Sequence, residues 1–251
     1  MISTTIIVKN GARHLNNVLQ ALEWCDEIVL YDTGSTDTTL QIAKNYPNVS
    51  VYQKVFIGFG PCHNEASRLA KHDWILSIDA DEVMSENLTQ EIQSLSLNPQ
   101  TVYSLPRHNY YNGKHIKWCG WHPEACVRLY NRKTTCFSEA LVHEGVISKG
   151  LQIIYLNHPL FHYPYESLSD FLVKMERYSS LFAEQYHQKR AASPWTAILH
   201  GLAAFGKSFF IKKGFLGSYE GFLISAYNGH TAFYKYLKLY QANQKSSPKC
   251  F

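Results

Sequence analysis

Apolar, β-branched runs punctuate the first hundred residues at a steady pitch: TTIIV (4–8), EIVLY (27–31), VSVYQKVF (49–56) and WILSI (74–78). Each has strand length, and most are nearly continuous in apolar side chains, as strands covered on both faces require. Between them the apolar positions fall at helical spacing: Leu15, Val18, Leu19 and Leu22, then Leu40, Ile42 and Ala43, then Ala66, Leu69 and Ala70. Strand alternating with helix at this pitch predicts βαβ units, hence an α/β fold with a mostly parallel sheet and helices on both faces. SENLTQEIQSL continues as a helix after the fourth strand, with Ser85 placed to cap it and Glu86 suited to its positive first turn.

The texture changes near residue 101. TVYSLPRHNYYNGKHIKW reads as a hairpin turning at Asn112-Gly113. ACVRLYN, LQIIYL and LFHYPY read as further short strands. From Ser167 onward the pattern is helical again: Leu168, Phe171, Leu172, Met175, Tyr178, Phe182 and Tyr186 recur at three-to-four spacing, and Ser167 with Asp170 forms a capping-box-like start. This divides the chain into a first domain, 1–165, and a helical appendage, 166–251.

Composition changes this picture in two ways. An apolar content of 45% with 17 Tyr, 13 Phe and 5 Trp excludes a disordered chain. The six cysteines are scattered without a C-x-x-C pair, which fits reduced thiols better than a disulfide framework or a zinc site. MISTTIIVKN has no basic n-region or long apolar h-region, so no secretory signal is expected and the cytoplasm is the expected compartment. The net charge of +4 is unevenly spread: residues 187–251 hold nine Lys/Arg and one acid, Glu220. A basic, aromatic tail on a neutral-to-acidic body meets something anionic. No nucleic-acid recognition module is visible. The run WTAILHGLAAFGKSFFI (195–211) is shorter than the ~20 residues a spanning helix needs. With Lys207, Lys212 and Lys213 it suits a helix lying in the interface of an anionic membrane, or else an ordinary buried helix with solvated lysines.

The strongest chemical signal is WILSIDADEVM, a strand ending in Asp79, Asp81 and Glu82. Carboxylates at this density are costly to desolvate unless something positive joins them. Ligands of open α/β sheets bind beyond the carboxyl ends of the strands, and Asp32 closes the second strand on the same edge. Mg²⁺ or Mn²⁺ with a diphosphate would resolve the crowding, since such ions take one or two carboxylates and fill the remaining positions with phosphate and water. The motif also resembles the first motif of haloacid dehalogenase-type phosphatases. That chemistry needs a downstream Lys and a later acidic pair, whereas after Glu82 the chain has a single Asp, Asp170, and no adjacent acids.

TTIIVKNGARHLNNVLQALEWCDEIVLYDTGSTDTT followed by NEASRLAKHDWILSIDADE resembles the family-2 glycosyltransferases of the GT-A fold. LVHEG, HYPYESLSDFLVKMERYS and KKGFLGSYEGF extend the resemblance to the bacterial lipopolysaccharide-core β-1,4-glucosyltransferases that act on heptose. The resemblance implies an inverting, metal-dependent transferase with UDP-glucose as donor and a lipid-linked inner-core oligosaccharide as acceptor, working on the cytoplasmic face of the inner membrane. It implies that Asp32 contacts the nucleobase, Asp79 the ribose or metal, and Asp81 the diphosphate-bound metal, with Asn10 and Asn64 lining the nucleotide pocket. The first motif of relatives commonly reads Asn-Glu; here it is Asn10-Gly11, so one expected carboxylate is missing. Ser35, Thr36 and Asp37 read as a helix start in preference to ligands.

Inversion also needs a base for the acceptor hydroxyl. Glu124, Glu139, Glu144 and Glu166 all follow the fourth strand; Glu144, in ALVHEGVIS, is preferred and Glu139 comes next. His143 and His162 are either metal ligands or hydrogen-bonded structural histidines. Tyr110, Tyr111, Trp118 and Trp121 either stack on sugar rings or pack a core. The alternatives are a transferase for a capsule or protein acceptor, or a non-catalytic nucleotide-sugar-binding protein.

Overall fold

The computed structural model describes residues 1–139 and 145–246. They form two compact units, residues 1–108 with 124–163, and residues 109–123 with 164–251.

In the first unit the expected alternation is present as β1 (Ser3–Val8), α1 (Ala12–Gln20), β2 (Glu27–Asp32), α2 (Thr39–Ala43), β3 (Val49–Gln53), α3 (Phe59–Leu69) and β4 (Trp74–Ser77). These strands run parallel in the order β3-β2-β1-β4. Period-two alternation splits their side chains between two cores. Ile28, Leu30 and Leu76 join Leu15, Val18 and Leu19 of α1 in one cluster, while Val29, Tyr31 and Ile75 join Cys62 and Ala66 of α3 in another. Both faces of the sheet are thereby covered.

Beyond β4 the sheet is mixed. The strands β5 (Glu82–Met84), β6 (Thr101–Tyr111), β8 (Ala125–Asn131) and β10 (Leu160–His162) continue it in the order β8-β6-β10-β5, with β9 (Gln152–Tyr155) parallel to β6. β8 is antiparallel to both β4 and β6, so the parallel strands expected from the first hundred residues are the first four of the sheet. α4 (Glu86–Ser94) is capped by the Ser85 side chain, which accepts from the Leu88 N–H at 3.2 Å. Between Tyr103 and Ser104 the register on β8 jumps from Leu129 to Val127, which leaves Arg128 as the extra residue of a β-bulge.

The second unit begins with the hairpin from β6 into β7 (Lys114–His115), where Asn112 (φ 51°) and Gly113 (φ 70°) supply the two positive φ values of a type I′ turn. The expected division at residue 165 differs from the structure here, because residues 109–123 belong to this unit. Tyr111, Ile116 and Cys119 form a core with Phe171 and Ile224, against which Trp118 and Trp121 pack partly buried. The remainder is helical: α5 (Leu168–Tyr186), opened by the Ser167/Asp170 capping box, α6 (Pro194–Gly206), a π-helical turn at Lys207–Ile211, a 3₁₀ turn at Gly214–Gly217, and α7 (Ser218–Ser246). α6 crosses α7 closely at two glycines. A Cβ on Gly201 would stand 3.0 Å from that of Phe233, and one on Gly229 would stand 3.0 Å from that of Phe205. Among the described residues, no helix is long and apolar enough to cross a membrane.

Candidate active site

β1 lies between β2 and β4, and the chain turns from building the sheet in one direction to building it in the other across the β1/β4 boundary. Such a switch point opens a crevice beyond the strand ends. Asn10 and Gly11 follow β1, Asp32 ends β2, and Asp79, Asp81 and Glu82 follow β4. Gly11 marks how near these loops come: a Cβ there would lie 2.6 Å from Val8 Cγ2 and 3.2 Å from Ala80 Cβ. A side chain at Gly11 would therefore have to displace Val8.

Hydrogen bonds tie the β1 and β2 loops into one rim. The Asn10 N–H donates to Ser35 Oγ at 2.9 Å, and Asn10 Oδ1 accepts from the Thr36 N–H at 2.7 Å. Asp37 accepts from the N–H groups of Ala12 (3.2 Å) and Thr39 (3.0 Å), so Ser35 to Asp37 join the loops instead of opening α2, whose N-cap is Thr38. The Asp32 carboxylate is fully buried and accepts from the N–H groups of Gly34 and Ser35. It shapes the turn that presents this rim.

The crowded carboxylates are neutralised from inside the protein. Arg128 donates through Nη2 to Asp79 and, at 2.6 Å, to Glu82. Arg107 donates to Glu82 at 3.0 Å and to Glu124 at 2.5 Å. The bulge at Arg128 turns a residue of a buried strand toward these acids. Arg128 Nε remains buried without a partner. Burial alone would raise the Asp79 carboxyl; the Arg128 guanidinium, with His63 and His162 behind it, overrides this and holds it well below the usual carboxylate range. Burial also pushes the His63 imidazole down to about 4, although Asp79 pulls the other way. His63 is therefore neutral at pH 7, stacked on Phe137 at 4.1 Å and bonded to Ser77 Oγ at 3.1 Å.

Asp81 faces a different partner. Its carboxylate is about one-third exposed and lies 3.5 Å from His162 Nε2 on β10. Asp79 is about equally exposed but already engaged by Arg128. Two aspartates and an imidazole are a donor set that suits Mg²⁺ or Mn²⁺. Asp81 with His162 fits that role, and Asp79 joins them on exchange of its arginine partner.

Asn64 is held by residues beyond β8. Its Nδ2 donates to the Phe137 carbonyl (3.0 Å) and Glu139 (3.3 Å), and its Oδ1 accepts from the Phe137 N–H (2.9 Å). Both N–H donors are spent on positioning residues 137–139, so in this structure Asn64 fixes that segment. Glu124 is likewise engaged, by Arg107. Glu139 is exposed. Glu144 and His143 lie outside the described residues. Arg107 and Arg128 carry the electrostatics of the site without having been singled out in the sequence. The available signal was an arginine inside each of the apolar runs YSLPRH and CVRLY, because a charged residue on a buried strand needs a partner.

The chain resembles several known proteins. It is 30% identical over 262 residues to an uncharacterized glycosyltransferase of Rickettsia typhi, spanning 98% of this chain and 88% of that one. A lipopolysaccharide core biosynthesis glycosyltransferase, LpsC of Rhizobium meliloti, is 26% identical over 196 residues, with 73% of this chain and 71% of the relative covered. Among solved structures, the mannosyltransferase PcManGT of Pyrobaculum calidifontis, in complex with GDP-Man and Mn²⁺, superposes with a TM-score of 0.52 at 14% identity, covering 95% of this chain and 86% of the other. The fold is therefore GT-A with C-terminal helices. The family model for glycosyl transferase family 2 matches residues 4–147, which is more than half of the sequence and contains every element of the crevice from β1 to β8, and the chain belongs to that family.

Proposed function

We propose that the protein is an inverting glycosyltransferase that moves glucose from UDP-glucose onto a heptose of the lipopolysaccharide inner core. The observation that carries the transferase reading is the convergence of Asn10, Asp32 and the Asp79-Ala80-Asp81 turn at the switch point of the sheet. The acceptor class rests on the sequence resemblance and on the likeness to LpsC, a lipopolysaccharide core enzyme by name.

In this reading the rim formed by Asn10, Asp32 and Ser35–Asp37 holds the nucleoside, and Asp81 with His162 and Asp79 holds a divalent ion. That ion, when bound, supplies Lewis-acid stabilisation of the leaving diphosphate. Arg128 keeps Asp79 ionised and in place. The acceptor hydroxyl attacks the anomeric carbon from the face opposite the diphosphate and gives its proton to a carboxylate, for which Glu144 is the proposed base and Glu139 the reserve.

A peripheral position on the cytoplasmic face of the inner membrane completes the proposal. Trp195, Ile198, Leu199 and Leu202 recur at helical spacing along α6 and are all exposed, as are Phe210 and Ile211 beyond it. A lipid-anchored acceptor would bring the enzyme to that surface.

The test is a screen of nucleotide sugars against deep-core lipopolysaccharide, read by mass spectrometry. A hexose added from UDP-glucose is the expected product. In parallel, Asp81→Asn is expected to lose the metal-dependent part of UDP binding measured by calorimetry. Equal metal-supported binding in both proteins overturns the ligand assignment, and no transfer from any donor overturns the activity.

A further inference from the structure

The second unit contains a cavity of about 330 Å³, lined by Cys119–Trp121, Lys207, Ser208, Lys212 and Asn228 together with Ala204. No carboxylate is among the described residues that line it. Described ion pairs elsewhere in this unit join Lys114 to Glu220 and Lys238 to Glu176, but none engages Lys207 or Lys212.

The local backbone brings these two lysines together. In an α-helix, positions five apart diverge by about 140° around the axis. Here the helix widens into a π turn: the Lys212 N–H donates to the Lys207 carbonyl at 2.9 Å, so the two residues close one wide turn and line the same cavity. Such turns recur at functional sites. The Lys212 carbonyl accepts from the Cys119 N–H at 3.0 Å, which pins the turn to the segment carrying Trp121. The lysine side chain lies along Gly120, whose φ of +83° and missing Cβ make the room: a Cβ there would stand 2.2 Å from Lys212 Nζ. Two like charges are thus held at one cavity by backbone geometry, an arrangement that an anion would relieve.

The other walls limit what that anion is attached to. Ser208 Oγ accepts from Asn228 Nδ2 at 3.0 Å and is bonded to Ser225 Oγ at 3.1 Å, so Ser208 fixes the Asn228 amide, whose second Nδ2 hydrogen serves the cavity. Trp121 is stacked on Tyr165 at 5.7 Å and backed by Phe171 at 6.5 Å, so the indole is a fixed wall. An indole beside hydrogen-bonding groups suits a sugar ring, which is apolar on its C–H faces and polar at its edges. The volume lies within the range of small-molecule sites.

We propose that this cavity binds a phosphate monoester borne by a saccharide. Lys207 and Lys212 hold the phosphate oxygens, the Asn228 amide adds a neutral hydrogen bond, and Trp121 supports the ring. A nucleotide-sugar donor has no monoester, because both ends of its diphosphate are esterified. The ligand therefore belongs on the acceptor side, a step that rests on the proposed function; the binding itself does not.

Calorimetry on the full chain tests this, with UDP and Mn²⁺ present to occupy the donor crevice. Glucose 6-phosphate is the probe, compared with glucose, inorganic phosphate and vesicles of phosphatidylglycerol. Glucose 6-phosphate is expected to bind more tightly than inorganic phosphate, and glucose not to bind. Lys207→Met with Lys212→Met is expected to weaken glucose 6-phosphate at least about tenfold, the weight of one charge-assisted hydrogen bond. Asn228→Asp, which adds a negative charge and keeps both lysines, is expected to weaken it as well, and unchanged melting temperatures show that the variants fold. Equal binding by wild type and variants overturns the site. Inorganic phosphate binding as tightly as glucose 6-phosphate overturns the saccharide part. Lysine-dependent binding to the vesicles alone reassigns the cavity to a lipid headgroup and overturns the proposal. Donor hydrolysis, measured separately, reports on the transferase reading whichever way this experiment falls.

Discussion

The two units treat charge in opposite ways. At the acidic strand end of the first, Asp79, Glu82 and Glu124 are matched by Arg107 and Arg128 within the protein, and Glu82 is fully buried in the process. In the second, Lys207, Lys212 and Lys213 cluster beside exposed Phe210, Ile211, Phe215 and Leu216 without an acid among their described partners. Internally matched charge is costly to remove from water and gains little net stability, but it holds carboxylates in fixed positions. Unmatched surface charge costs little and attracts what comes from outside. On the proposed function, one region holds geometry and the other recruits.

If geometry belongs to the first region, the largest effect on chemistry should come from removing the proposed base. Glu144→Gln keeps size and most hydrogen bonding but cannot take a proton. It is expected to lower kcat by about two to four orders of magnitude with donor binding nearly intact. A near-normal rate would pass the role to Glu139.

Arg128→Met is expected to be the most destabilising change at the strand end. It strands Asp79 and Glu82 with half their neutralisation gone, and breaking a buried pair in this way costs about 3–5 kcal/mol. Urea unfolding measures it. A loss no larger than that of a surface Lys→Met control would mean the arginine is dispensable and the comparison with the second unit is wrong.

The same region should show its packing through pH. The folded-state pKa of His63 is lowered by burial to about 4 from 6.5. The stability tied to its neutral form is complete above 6.5 and falls as pH drops through 6.5 toward 4, because the unfolded chain takes up the proton first. Between pH 7 and pH 5 this amounts to about 2 kcal/mol. Asp79, whose carboxyl is depressed, keeps its contribution throughout that window and loses it only in stronger acid. Unfolding at the two pH values should show the slope in wild type and a flatter one in His63→Gln. Parallel slopes would remove His63 from the account.

How far the sequence exposed these regions depends on the range of the interactions. The four parallel strands, the Ser85 cap, the Ser167/Asp170 capping box and the Asn112-Gly113 turn are local, and periodicity or turn chemistry reveals them. The candidate carboxylates were legible because they sit together at one strand end. Their partners were not, because Arg128 is 49 residues from Asp79 and Arg107 is 25 from Glu82. Only the antiparallel β8 and its bulge bring Arg128 across. The partner of Asn64 was hidden for the same reason: the Phe137 backbone lies 73 residues away. The place of residues 109–123 in the second unit depends on Phe171 and Ile224, which no local pattern links to them.

The smallest expected effects lie in the recruiting region, where each contact is weak and the sum matters. Along α6, Trp195 is 75% exposed, Leu199 65% and Leu202 66%, and Ile211 beyond the π turn is 75% exposed, more apolar surface than a solvated helix needs. On an anionic bilayer each nearby lysine adds up to about 1 kcal/mol, screened over a Debye length of about 8–10 Å at ordinary salt. The apolar stripe adds a part that salt does not remove. Co-sedimentation with vesicles containing phosphatidylglycerol is therefore expected to fall with salt to a plateau above zero. Lys213→Glu, which spares the two cavity lysines, should lower the low-salt value and leave the plateau. Leu199→Asp with Leu202→Asp should remove the plateau and leave a salt-sensitive remainder. Both variants should keep wild-type kcat on a water-soluble acceptor, since the chemistry belongs to the other region. If wild type ignores the vesicles at low salt, or Lys213→Glu and the leucine pair lower the same component, the lysines and the stripe do not act as separate contacts with a bilayer, and the division between a region that holds and a region that recruits fails.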